Sequence, residues 1–202
     1  MAYGDFSLAD LEKKFGIENQ LRSLFEHVEA IEPSHFLKEA LQNARELPVR
    51  SEKAKSETIV FPILIELRNR NDKYFTIYSG DNLNADENQG LKGECDFILA
   101  RDTGTFDINY PIIQIVEAKR NDLEVGVPQC AAQLVGARKF NENKGVMLEN
   151  LYGCVTTGDE WLFMKLSNQE LSIDTRKYYL VEIVTLLAVF QQIIDYYKTL
   201  IK

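Results

Sequence analysis

The period at which apolar and polar residues alternate changes several times along this chain, and each change marks an element. Over residues 7–46 apolar side chains recur at helical spacing: Leu8, Leu11 and Phe15, then Leu21, Leu24, Phe25, Val28 and Ile31, fall on single faces. This predicts two or three short helices. Ser7 caps the first and Gly16 ends it, while Pro33-Ser34 opens a later one through Phe36, Leu37 and Leu41. Residues 51–71 have a solid apolar centre that suits a buried helix or a buried strand. The length, the polar lead-in from Ser51 and the charged exit at Arg68 and Arg70 favour a helix, with Pro62 taken up at a bend.

The pattern then turns to strands. KYFTIYSG (73–80), GECDFILA (93–100) and YPIIQIVEAK (110–119) read as three β-strands in a meander, joined by a polar loop over 81–92 and the turn-forming RDTGTFDIN (101–109). A helix over 126–141 follows, then two strands, LYGCVTTG and EWLFMKL, in a hairpin whose Trp161 packs inward. KYYLVEIVTLLAVFQQIIDYYKTLIK closes the chain as a long helix with a broad apolar face, suited to its own sheet or to a homodimer. The order helix, three strands, helix, strands predicts a mixed α/β sandwich. One domain over 1–202 is expected, with a helical segment 1–50, a core 51–166 and a strand and helix extension 167–202.

At 202 residues and 45% apolar composition, the chain can bury one sizeable core. No apolar run looks long enough to cross a bilayer, and MAYGDFSLADLEKKFG lacks the apolar stretch of a signal peptide, so a cytoplasmic protein without membrane contact is expected. Cys95, Cys130 and Cys154 are widely spaced and odd in number, which suits buried reduced thiols. His27 and His35 fit no zinc pattern. Lys and Arg number 23 against 31 Asp and Glu, a net charge of −8, which argues against a stable grip on a polyanion by the isolated chain. Transient contact with nucleic acid, or a recruiting protein partner, is compatible with that balance.

The chemistry lies in Asp96 and in Glu117-Ala118-Lys119, each set at the end of a strand-like run. Side chains alternate along a strand, so Glu117 and Lys119 share one face, and Asp96 on the adjoining strand can meet Glu117 across the pair. Two carboxylates, with the Ala118 backbone carbonyl, form an all-oxygen set that selects Mg2+ or Mn2+. Lys119 would orient a water or stabilise charge on a phosphate.

GLKGECDFILA followed by PIIQIVEAKRND resembles the PD-(D/E)xK nuclease superfamily, over residues 51–166. The resemblance implies a restriction-endonuclease-like mixed sheet flanked by helices, with Asp96, Glu117 and Lys119 as the catalytic motif. It implies magnesium-dependent hydrolysis of DNA phosphodiester bonds. Cys95 stands where the motif's name has proline. Members commonly carry an acidic residue on the preceding helix, which points to Glu57, expected to face inward with Val60, Phe61 and Leu64; Glu66 is its rival. A glutamine on the following helix is also usual, which points to Gln133, with Gln129 one turn earlier on the same face. Arg138 and Lys139 beyond them are candidate contacts to the nucleic-acid backbone. A non-catalytic member of the fold, serving as an interaction subunit in a nucleic-acid or defence assembly, is the alternative the acidity favours.

Overall fold

The computed structural model describes residues 1–105 and 107–201; Phe106, inside the expected turn at 101–109, and Lys202 lie outside the described residues. Seven strands form one mixed sheet: β1 (Glu18–Arg22), β2 (Phe75–Asn82), β3 (Glu94–Arg101), β4 (Ile112–Ala118), β5 (Asn150–Thr156), β6 (Glu160–Ser167) and β7 (Glu170–Tyr179). Their spatial order is β1-β7-β6-β5-β4-β3-β2. The β2-β3-β4 meander is antiparallel as expected. β4 and β5 run parallel, joined by the long helix α5 (Leu123–Asn143) as a crossover. All seven residues of β4 are buried, because both sheet faces are covered at its centre.

On one face, α5 and α1 (Leu8–Phe15) pack over Ile98, Ile115, Val155 and Met164. Gly153 on β5 lets α5 come close, since a Cβ there would lie 2.9 Å from Cys130 Sγ. On the other face, α2 (His35–Glu46), α4 (Phe61–Arg70) and α6 (Ile183–Leu200) cover Phe97, Val116, Cys154, Trp161 and Phe163. The three cysteines are buried and free. Trp161 is fully buried, with its indole N–H donating to the Gly158 carbonyl, so its duty is structural.

The N-terminal segment departs from expectation. Ser7 caps α1 with a reciprocal Asp10 contact, and Gly16 ends it at φ +67°, as the sequence predicts. Residues 18–22, however, form the edge strand β1, paired parallel with β7, and Leu24 to Ile31 are not helical. Leu21 is exposed on the edge strand, while Leu24, Phe25, Val28 and Ile31 reach the core from non-helical chain. Ser34 caps α2 as anticipated.

Residues 52–70 are helical, but not uniformly so. A short α3 (Glu52–Lys55), capped by Ser51, passes into a π turn at Ser56–Val60 and then into α4. The Phe61 N–H reaches back to the Ser56 carbonyl, and Pro62 follows at once. The proline, which cannot donate to a carbonyl one turn back, is absorbed at this widened turn.

At the other end, β7 runs through Tyr178 and Tyr179, so α6 begins at Ile183 rather than at the expected Lys177. Residues 180–200 are long and apolar enough, at mean hydropathy 1.4, to cross a membrane, contrary to the expectation that no run reaches that length. The hydropathy has a core cause: Leu186, Leu187, Val189, Phe190, Ile193, Ile194 and Tyr197 are buried within the cluster that covers the sheet. The outward positions Gln192, Asp195 and Thr199 are polar, while Leu200 near the helix end is exposed.

Candidate active site

The site opens where β3 begins and β4 ends. Phe97 pairs with Val116, so the next rung of the ladder sets Asp96 against Glu117. Asp96 is half-buried, and its Oδ2 accepts the Ala118 backbone N–H at 2.7 Å. Glu117 is only 2% exposed. Its Oε1 accepts from Lys119 Nζ at 2.6 Å and its Oε2 from Gln133 Nε2 at 2.7 Å. Lys119 Nζ also donates to Gln129 Oε1 at 3.1 Å, and Gln133 Nε2 reaches the Glu94 carbonyl at 3.4 Å. Asp96, Glu117, Lys119 and Gln133 therefore converge as the sequence predicts, and Gln129 joins them.

α5 shapes this convergence through its packing. Gly126, Gln129 and Gln133 stand at i, i+3 and i+7, on one stripe facing β4. A Cβ at Gly126 would lie 2.5 Å from Val155 Cγ1 and 2.9 Å from Lys119 Cγ, so only glycine admits both the strand and the lysine stem.

The electrostatics are those of crowded anions around one cation. Burial raises the Glu117 carboxyl most, Asp96 raises it further, and Lys119 and Gln133 only partly offset them, leaving it at about 7. Asp96 is likewise raised, first by burial and then by Glu52 and Glu94, against the Ala118 N–H and Lys119. For Lys119, burial disfavours the charged form, but Glu117 and Asp96 outweigh it and hold the ammonium above its ordinary value. Lys119 is therefore a cation at neutral pH.

Two further residues matter here that the sequence did not point to. Glu52, at the first helical position after Ser51, is near enough for its charge to raise both Asp96 and Lys119. Tyr3 is buried against Gly136 of α5; its hydroxyl donates to the Leu83 carbonyl and its N–H to that of Lys92, fixing the loop that leads into β3. Neither has a local signal, since one is an ordinary first-turn acid and the other an aromatic near a terminus.

Glu57 is not in the site. It is 64% exposed and pairs with Lys53 at 3.8 Å, because the π turn adds a residue to the helical repeat and rotates position 57 away from the buried stripe of Val60, Ile63, Leu64 and Leu67. Glu66 is buried, but it accepts from the Ser34 N–H at 3.0 Å, the Ser34 hydroxyl at 2.5 Å and Arg70 at 2.9 Å, tying α2 to α4. Arg138 donates to the Asn168 carbonyl in the β6–β7 turn, and Lys139 beside it is half-buried.

The donor set suits a hard cation in kind. Asp96, Glu117 and the Ala118 carbonyl offer oxygen alone, and Mg2+ habitually takes one or two carboxylates and completes its shell with water and phosphate oxygens. Among the described residues no group of three His, Cys, Asp or Glu side chains is close enough to hold a metal by itself. Comparison of the chain with protein-family models, with curated proteins and with solved structures finds no match.

Proposed function

We propose that the chain is a metal-dependent nuclease that hydrolyses DNA phosphodiester bonds, on a restriction-endonuclease-like variant of the α/β sheet. The observation that carries this reading is Glu117: a carboxylate 2% exposed, facing Asp96, held between Lys119 and Gln133 at the open end of two strands. A structural ion pair has no need of a second carboxylate that raises the first. Asp96, Glu117 and the Ala118 carbonyl would hold Mg2+ or Mn2+, with Glu52 adding negative charge nearby. When bound, the cation supplies charge neutralisation and Lewis acidity.

The remaining roles fall to the chain's own groups. Lys119, cationic at neutral pH, is suited to stabilise charge on a phosphoryl oxygen rather than to take a proton. Gln133 fixes the Glu117 carboxylate through Oε2, leaving Oε1 as the atom that can exchange partners. Its own Oε1 is buried without a hydrogen-bond partner, a free acceptor at the wall of the site.

A non-catalytic interaction subunit is the second reading, favoured by the net charge of −8. A recruiting partner or only transient contact with DNA would reconcile that charge with nuclease activity. Titration of the purified protein with Mg2+ and Mn2+ separates the two. The nuclease reading expects saturable binding at millimolar metal that is lost in Asp96→Ala and in Glu117→Ala, both still folded by circular dichroism. Absence of binding in the wild type selects the interaction subunit.

A further inference from the structure

A lysine at the end of a strand is difficult to hold still. Its stem has four methylenes, and here only the backbone is fixed by the ladder, through the Lys119 N–H to the Thr156 carbonyl at 2.7 Å. The α5 stripe supplies the rest. The stem crosses bare backbone at Gly126, where a Cβ would lie 2.9 Å from Cγ and 3.2 Å from Cε. The ammonium then meets two acceptors, Glu117 Oε1 at 2.6 Å and Gln129 Oε1 at 3.1 Å. Gln133, one turn on, serves Glu117 and not the lysine. The two glutamines therefore have different partners, although the sequence presents them as equivalents.

The division has a consequence for a loaded site. Both Glu117 oxygens are engaged, Oε1 by the Lys119 ammonium and Oε2 by Gln133, so a divalent cation that took Oε1 would displace the ammonium from it. Once that oxygen turns to a cation, Gln129 is the remaining anchor. We propose that Gln129 is a positioning residue that retains the Lys119 ammonium in the site when Glu117 is drawn to a divalent cation, an inference that rests on the nuclease reading. The first residues of the chain back the amide: a Cβ on Gly4 would lie 3.7 Å from Gln129 Oε1, so the N-terminal segment walls it on that side.

The test uses the full-length protein with 15N-labelled lysine, observing the Lys119 ammonium signal with and without millimolar Mg2+ in wild type, Gln129→Leu and Gln129→Glu. The wild type is expected to keep a motionally restricted ammonium in both states. Gln129→Leu keeps it without metal, when Glu117 still holds it, and loses it with Mg2+; Gln129→Glu, which restores an acceptor, regains it. In parallel, kcat for DNA cleavage falls on the order of 10–100-fold in Gln129→Leu with KM little changed, as expected of a displaced catalytic group, and recovers in part in Gln129→Glu. A Gln129→Leu protein whose Lys119 stays restricted under Mg2+ overturns the proposal, as does a folded Gln129→Glu that fails to restore it. A wild type that binds Mg2+ but cleaves no DNA overturns the nuclease reading alone, and the lysine signal still decides Gln129.

Discussion

Replacing Glu117 with Gln should make the metal-free protein more stable, not less. The folded carboxyl sits at about 7 instead of its ordinary 4.5, a net displacement that already includes the attraction of Lys119 and the Gln133 hydrogen bond. Ionising Glu117 therefore costs the fold: the penalty is absent below the ordinary value, grows between the two and is complete above the higher one. At about pH 8 it is of the order of 3 kcal/mol, and at about pH 5 it shrinks to under about 1 kcal/mol. For a chain of this length, about 3 kcal/mol corresponds to roughly 6–12 °C in melting temperature. The assay is thermal melting of wild type and Glu117→Gln in chelator at the two pH values, repeated with excess Mg2+. Metal should close most of the gap at the higher pH, since ligand at about a hundred times its Kd adds about 2.7 kcal/mol to whichever form binds it. A Glu117→Gln protein that melts at or below wild type at the higher pH without metal would refute the picture of an uncompensated carboxylate, as would equal stabilisation of both proteins by Mg2+.

The other expectations concern packing and partners. Gly126→Ala gains about 1 kcal/mol of helix propensity but places a Cβ 2.5 Å from Val155 Cγ1. Overpacking at about 1–3 kcal/mol should offset or exceed that gain, so a melting temperature raised by the full propensity gain contradicts the close approach of α5. Glu52→Gln should weaken Mg2+ binding on the order of tenfold while Glu57→Gln leaves it unchanged, read by isothermal titration; equal effects would contradict the rotation imposed by the π turn. For Glu66, burial alone would raise the carboxyl, but the bonds from Ser34 and Arg70 outweigh it and hold it below its ordinary value. Its contribution is thus present above that ordinary value and fades as pH falls through the lower folded one. Glu66→Gln should cost about 1–3 kcal/mol near neutrality and progressively less in acid, in urea melts at stepped pH; a pH-independent cost contradicts the ionic role.

The parts of the fold legible in the sequence are those whose partners lie close along the chain. β2, β3 and β4 are adjacent in sequence and in the sheet, so strand period and turn chemistry sufficed to set Asp96 opposite Glu117. β1 was hidden because its pairing is with β7, about 150 residues away, and all five of its residues are exposed, leaving no inward alternation to read. Within the site, Glu117 and Lys119 follow from strand alternation, whereas Gln133 is pointed to by the resemblance, helical spacing adding only that Gln129 shares its face. Glu57, to which the resemblance points, falls outside the site because a single π turn breaks the 3.6-residue period that would have set it on the inward face with Val60 and Leu64. The separate partners of Gln129 and Gln133 depend on the depth at which α5 sits, and Gly126 sets that depth.

The most direct measurement is cleavage of supercoiled, linear and single-stranded DNA by the purified protein, with Mg2+, with Mn2+ and in chelator, beside Lys119→Ala. Cleavage that requires metal and disappears in a folded Lys119→Ala protein is the expected result. Undiminished cleavage by Lys119→Ala, or no cleavage by the wild type with either metal, would contradict the assignment of Asp96, Glu117 and Lys119 as a nuclease site.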